Sequence, residues 1–309
     1  MILCCGEALI DMIPTPTVSG GNAFASHSGG AIFNTAIALG RLGAQTGMLT
    51  GLSTDLFGRQ LEKTLRASNV DTSLVIQSAR PTTLAFVELT DGHASYTFYD
   101  ENTAGRMLAE QDLPELPDDV NCLYFGGISL CSEPGADAYR ALALREAADR
   151  VIMIDPNIRA SFIQDIDTYR ARLNSILAVA DVVKVSDEDL NWIMPGPESL
   201  AEKVAKVKAA GPSVVIMTRG AEGAIAHLND GATITVPANK VEIVDTVGAG
   251  DTFNAGVLAN LAENGHLTKA ALKTASAESI RKALEFGAKV AAVTVSRAGA
   301  NPPWSHELA

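Results

Sequence analysis

The sequence predicts an α/β fold: a mainly parallel sheet with helices on both faces, and a small β-strand lid. Three observations carry this expectation. From about residue 120, short and nearly continuous apolar runs at 122–125, 151–154, 182–185 and 214–218 alternate with helical segments at about 135–148, 167–179 and 198–210. Runs apolar at every position suit strands covered on both faces, as in a parallel sheet between helix layers. Two further β-type runs, 82–89 and 94–99, are joined by Asp91-Gly92, a hairpin signal, and stand apart from that alternation. Polar residues follow the apolar runs, at the carboxyl ends of the expected strands, where open α/β sheets bind ligands.

The elements follow in order. An apolar run from Ile2 to Ile10, interrupted by Gly6 and Glu7, reads as a first strand ended by Asp11. A segment rich in Gly, Ser, Thr and Pro extends from Pro14 to Gly30. Phe33, Ile37 and Leu42 give 33–42 helical spacing, 48–52 reads as a strand and 57–66 as a helix. After Thr218, residues 223–228 and 232–236 read as an antiparallel pair. A helix then starts at 248–251 and a long one fills about 276–292. The early β-rich segments are interleaved with the first βα units. One domain over 1–309 is therefore expected, with a lid from about 12–28 and 80–105 inserted in it.

Composition narrows the function classes. A chain of 309 residues with 47% hydrophobic content suits one large α/β domain. A net charge of −12 without a basic run argues against nucleic acid or an anionic membrane as partner, so any phosphate site must be local. Cys4, Cys5, Cys122 and Cys131 lack C-x-x-C spacing and read as reduced residues of a cytoplasmic protein. Cys4 and Cys5 should face opposite sides of a strand. No signal peptide and no membrane-spanning run is legible. The five His lack metal-ligand spacing, and neither G-x-x-x-x-G-K-[ST] nor an early G-x-G-x-x-G occurs.

The chemistry concentrates in D-T-V-G-A-G-D-T-F-N-A-G at 245–256. A Gly-Ala-Gly turn at a helix start leaves the N–H groups of Gly248, Ala249 and Gly250 pointing outward, an anion site favoured by the helix dipole. Asp251 at the same spot makes sense as a base that takes a proton from a hydroxyl while those donors hold a phosphoryl group. Gly29 and Gly30 let a ligand approach the backbone, and Asn34 offers a donor and an acceptor to a hydroxyl. Asp11 can accept two hydroxyls or stand as a solvated strand-end acid. In D-P-N-I-R at 155–159, Arg159 can meet the transferred phosphoryl group, a sugar hydroxyl or a partner within its own loop. Ser186 and Asp189 suit either a capped helix start or a metal-related role through water. Tyr96, Phe98 and Asp100 share a strand face, with Arg106 shortly after, and suit either a sugar or lid packing.

Together these segments resemble the ribokinase-like (PfkB) carbohydrate kinases, and most resemble its bacterial fructokinases. The carriers are the 245–256 run, G-G-A-I-F-N-T-A-I-A-L-G-R-L-G at 29–43, Asp55-x-x-Gly58, G-E-A-L-I-D, D-P-N-I-R and K-V-S-D-E-D-L. Ile32 and Ser53 depart from the usual small residue or proline and the usual glycine, and Ser186 and Asp189 stand in the place of N-x-x-E. The resemblance implies a three-layer α/β/α fold of ribokinase-like type and transfer of phosphate from ATP, with Mg²⁺, to a primary hydroxyl of D-fructose. Asp251 would be the base. Asp11, Gly30 and Asn34 would bind sugar. Lys184, Ser186, Thr218, Gly220 and Gly223 would border ATP, with 291–299 over the adenine. A monovalent cation such as K⁺ near Asp245 and Val247 and a homodimer through the lid are further family possibilities. The runners-up are 2-keto-3-deoxygluconate kinase, which Asp100 argues against by its charge, ribokinase, and a non-catalytic sugar or nucleotide sensor.

Overall fold

The computed structural model of the chain describes residues 1–90 and 93–308, so the Asp91-Gly92 hairpin signal lies outside the described residues. A nine-stranded sheet runs in the order Thr233–Val236, Ala224–Leu228, Val214–Thr218, Val182–Ser186, Val151–Asp155, Cys122–Gly126, Ile2–Cys5, Thr46–Leu49 and Val70–Asp71. The last seven are parallel to their neighbours and the first two antiparallel. Alternate side chains along each strand enter separate cores. Ile2, Cys4, Met48 and Tyr124 join the helices Ala31–Arg41, Ala249–Glu263 and Ala277–Val295 on one side. Leu3, Cys5, Leu49 and Phe125 join Gly135–Glu146, Ile166–Leu177 and Leu200–Ala209 on the other. Both faces are covered, which is why the parallel strands read as continuous apolar runs. Cys4 and Cys5 therefore do face opposite sides, and all four thiols are buried and unpaired.

The first apolar run is two strands. Ile2–Cys5 belongs to the main sheet, and Leu9–Pro16 belongs to a second sheet ordered Asn22–Gly29, Leu9–Pro16, Leu84–Thr90, His93–Tyr99. Asp11 therefore lies inside a lid strand, beside His27 and Ala85, and does not end the first strand. The run at 48–52 splits in the same way, into Thr46–Leu49 and Gly51–Ser53. A one-dimensional apolar pattern does not record a change of sheet, because the residues on either side of the change, Cys5 with Leu9 and Ile10, are all buried.

Local rules set the helices that matter for the site. Asp55 caps Leu56–Ala67 by accepting from the N–H groups of Phe57 and Gly58 at 2.9 and 2.8 Å. Ser186 caps the short helix Asp187–Ile193 through the Asp189 N–H, which fulfils the capped-helix reading of that segment. The helices Ala249–Glu263 and Ala277–Val295 cross where Gly256 meets Gly287. A methyl group on Gly256 would stand 2.7 Å from the Gly287 Cα, so the last glycine of the 245–256 run serves packing.

Candidate active site

A cleft of about 500 Å³ opens between the lid and the carboxyl ends of the central strands, a size suited to a small ligand. Its lining unites Asp11, Gly30, Asn34, Phe98, Arg159, Lys184, Gly248, Ala249, Gly250 and Asp251, all singled out from sequence. Each arrives on a different element: Asp11 and Phe98 on lid strands, Asn34 on the helix Ala31–Arg41, Lys184 on Val182–Ser186, and Asp251 on the first turn of Ala249–Glu263.

Gly248 begins that last helix with φ +78°, a left-handed conformation that side chains disfavour, and a methyl group there would press on Ala300 at 2.6 Å. Among the described residues, the N–H groups of Gly248, Gly250 and Asp251 make no hydrogen bond, whereas that of Ala249 is directed at the Thr246 carbonyl at 3.3 Å. The anion-binding donors are thus chiefly those flanking Ala249. Asp251 is buried, and Asn34 Nδ2 donates to its Oδ2 at 2.9 Å. Burial pushes its carboxyl up to about 7, with the Asp155 charge adding and the Asn34 bond, Lys184 and Arg159 opposing. An acid in a helix's first turn is ordinarily favoured as the anion. Here desolvation wins, and the result is a base poised near neutral pH. Burial also raises Asp11, to about 6.

Arg159 is exposed and donates to Asn157 Oδ1 at 2.6 Å, a hydrogen bond within its loop that leaves the guanidinium at the cleft. Asn157 itself holds a left-handed φ of +44°, which turns the loop after the strand. Phe98 packs edge-to-face on Phe162 with ring centroids 3.8 Å apart, so it closes lid against loop while lining the cleft.

Several expected residues lie elsewhere. Gly29 is outside the lining, but a methyl group there would overlap Asp11 Oδ2, so it keeps room for that carboxylate. Asp100 follows its strand and accepts from the Thr83 and Thr103 hydroxyls at 2.8 and 3.0 Å. With Arg106 it lines a cavity of about 30 Å³ that adjoins the cleft through Glu7 and Ile128. The two threonines fix the Asp100 carboxylate beside the cleft without cancelling its charge, and it does not reach the cleft lining. Ser186, Asp189, Thr218, Gly220 and Gly223 also lie outside the lining. Ser186 and Thr218 are register partners on adjacent strands, and Asp189 accepts from the Ile158 N–H at 3.1 Å. Residues 291–299 form the end of the last helix and the turn after it, where the Gly299 N–H donates to Asp245 at 2.9 Å.

Glu7, an interruption of the first apolar run in the sequence, also lines the cleft. Its carboxylate accepts from the Ala31 N–H at 3.0 Å, at the start of Ala31–Arg41, and from the Ser129 N–H at 3.2 Å, just after the strand Cys122–Gly126. An acid inside an apolar run was the available signal. Gly127, Ile128, Ser161 and Phe162 left no periodic trace, since they come from the 3-10 turns Gly127–Leu130 and Ala160–Phe162, too short to show a period.

A base near neutrality, free helix-start donors and hydroxyl acceptors in one cleft define a phosphotransferase of small hydroxyl compounds. The chain belongs to the pfkB family of carbohydrate kinases, whose model matches residues 1–307. It is similar to the fructokinase of Rhizobium leguminosarum bv. trifolii, with 50% identity over 283 residues, 91% of this chain and 86% of that protein. Its fold matches the crystal structure of fructokinase with bound ATP from Xylella fastidiosa at TM-score 0.89 and 30% identity, over 99% of this chain and 97% of that one. The fructokinase of Vibrio cholerae O395, solved with fructose, ADP and calcium ion, matches at TM-score 0.83 and 26% identity, over 97% and 94%. The fold is thus ribokinase-like, as the sequence predicts.

Proposed function

We propose that this protein transfers the γ-phosphoryl group of ATP to the primary hydroxyl of D-fructose, giving D-fructose 6-phosphate and ADP. The observation that carries it is Asp251, buried, near neutrality in pKa and beside unpaired helix-start donors. Asp251 takes the proton as the hydroxyl oxygen bonds to the γ-phosphorus. The bond from phosphorus to the bridging oxygen breaks, and ADP leaves with the electron pair. The Gly248 and Gly250 N–H groups face the developing charge, and Arg159 assists them. Asp11, Gly30 and Asn34 orient the sugar, with Phe98 against its apolar face. Lys184, Ser186, Thr218, Gly220 and Gly223 mark the nucleotide end, along the strands beyond the sugar. Mg²⁺ bound with ATP would neutralise phosphate charge, and Asp189, whose Oδ1 accepts from the Ile158 N–H, would meet it only through water. The cytoplasm suits an ATP consumer with four free thiols.

The test is ADP release with Mg-ATP over fructose, 2-keto-3-deoxygluconate, ribose, adenosine and no acceptor, each in Na⁺ and K⁺ buffers. Fructose should lead, with K⁺ raising the rate if the loop at Asp245 and Val247 takes a cation. The keto acid is the second reading, favoured by the exposed Arg159 guanidinium, and its lead would overturn fructose as substrate. Silence on every acceptor would leave a sensor.

The lid supports a homodimer. Its face away from the cleft carries Phe24, Phe86 and Tyr99 in edge-to-face contact at 5.0 and 5.5 Å, with Phe24 and Tyr99 exposed. Light scattering should give twice the chain mass, and Phe24→Glu with Tyr99→Glu should give the monomer. A monomeric wild type would end this proposal.

A further inference from the structure

At the cleft floor lies a polar cluster of which the reaction as described uses only Lys184. Asp155, at the end of its strand, is 1% exposed. Its Oδ2 accepts from Lys184 Nζ at 2.8 Å and from Asn254 Nδ2 at 2.7 Å. Asn254 also donates to Tyr124 Oη at 2.9 Å and lies one helical turn after Asp251. The Lys184 ammonium stands 3.4 Å from where a Gly250 side chain would begin, so it sits directly under the anion-binding turn. Asp155 Oδ1 and Asn254 Oδ1 are buried with no hydrogen-bond partner among the described residues.

That last pair argues against a purely structural role. Buried polar atoms are nearly always paired, and a buried ion pair is often no more stabilising than apolar side chains of similar volume. A cluster kept for catalysis needs its charges in fixed places, and this one joins the strand under the anion-binding turn to the helix that carries the base.

We propose that Asp155 is a positioning residue for phosphoryl transfer, holding the Lys184 ammonium beneath Gly250 and, through Asn254, the helical turn that presents Asp251. The proposal rests on the kinase reading above. Asp155 touches no substrate. It balances the Lys184 charge while the cleft is empty and keeps it from folding away, so an arriving phosphate meets a cation already in place.

Its charge gives the role a signature. The groups that face Asp251 are Asn34 from the helix Ala31–Arg41, Tyr124 and Asp155 from their strands, Lys184 from the next strand, and Arg159 from the loop above. Asp155 opposes ionisation of the base, and Lys184 and Arg159 favour it. Asp155→Asn removes the opposing charge, so the acid limb of the kcat/KM profile should move to lower pH. The loosened ammonium should lower kcat by about tenfold or more, with the sugar KM little changed. Tyr124→Phe removes a neighbouring hydrogen bond without a charge and should leave the limb where it is.

The experiment is the pH profile of ADP release, with fructose, for wild type, Asp155→Asn, Asp155→Glu and Tyr124→Phe, each checked for folding by its Tm. A folded Asp155→Asn with wild-type kcat and an unmoved limb would overturn the proposal. So would a loss of kcat that only tracks Tm, with Tyr124→Phe behaving alike. If Asp155→Asn does not fold, Asp155→Glu decides: its retained charge should hold the limb while its displaced oxygens lower kcat, and full activity would refute positioning. Wild type silent on every sugar would remove the kinase reading and this proposal together, whereas an active wild type with an indifferent Asp155→Asn removes this proposal alone.

Discussion

Asp251→Asn is expected to lose about 10²–10⁴-fold in kcat, the range for removing a general base, while binding sugar nearly as wild type does. The amide keeps an oxygen for the Asn34 Nδ2 bond, so the cleft geometry survives and only proton transfer is lost. The same substitution should raise Tm at pH 8. Burial lifts the folded-state carboxyl from 3.8 to about 7, so the folded protein binds this proton more tightly than the unfolded chain does. Stability from this group is then greatest below the unfolded value and declines as pH rises through the window to about 7. Above that window the wild type holds a buried carboxylate that the amide variant lacks, and the Tm gap should close towards pH 4. Wild-type activity also needs the ionised form, so kcat/KM should fall as pH drops below about 7. A folded Asp251→Asn with near-normal turnover would remove Asp251 from the base role, and an unchanged Tm at pH 8 would remove the desolvation argument.

Gly29→Ala should raise the sugar KM by about 10–100-fold with kcat at saturation much less affected. The glycine lies outside the cleft lining. A methyl group there would overlap Asp11 Oδ2, so the carboxylate must turn away from the place where it accepts hydroxyls. Hydrogen bonds to a charged group contribute about 1.5–3 kcal/mol, which converts to that range in affinity. The backbone at Gly29 is ordinary strand, so alanine is tolerated there and folding should survive. Titration calorimetry with fructose reads the effect directly. Unchanged affinity in Gly29→Ala together with a weakened Asp11→Asn would show that Asp11 finds another rotamer, and affinity unchanged in both would take Asp11 out of sugar binding.

How much of this was legible depended on whether a feature is local. Strands buried on both faces, capped helices and the 245–256 run all write themselves into neighbouring residues, and the main sheet, the helices and Asp251 follow from them. Changes of sheet do not. Nothing between Cys5 and Leu9 says that one strand joins the main sheet and the next the lid, so Asp11 was misplaced along its strand while its part in the cleft was not. Asp100 failed for the opposite reason. Period-two counting from Tyr96 and Phe98 carries on past Tyr99, where the strand ends and the chain turns its carboxylate to Thr83 and Thr103. The Asp155, Asn254 and Lys184 cluster was beyond reach, since 29 and 99 residues separate Asp155 from its two partners.

The tight crossing at Gly256 and Gly287 has a consequence for motion. Two helices whose backbones touch, with no side chain between them, have neither room to roll nor a lubricating layer to slide on. One carries Asp251 at its start, and the other ends beneath the turn that binds Asp245 and crowds Gly248. Base, anion-binding turn and the adjoining loop thus move as one stiff block. That leaves the four-stranded lid as the part whose movement would admit sugar and keep water from the γ-phosphate, so the speed of the cycle and the geometry of the chemistry would be set by different parts of the chain.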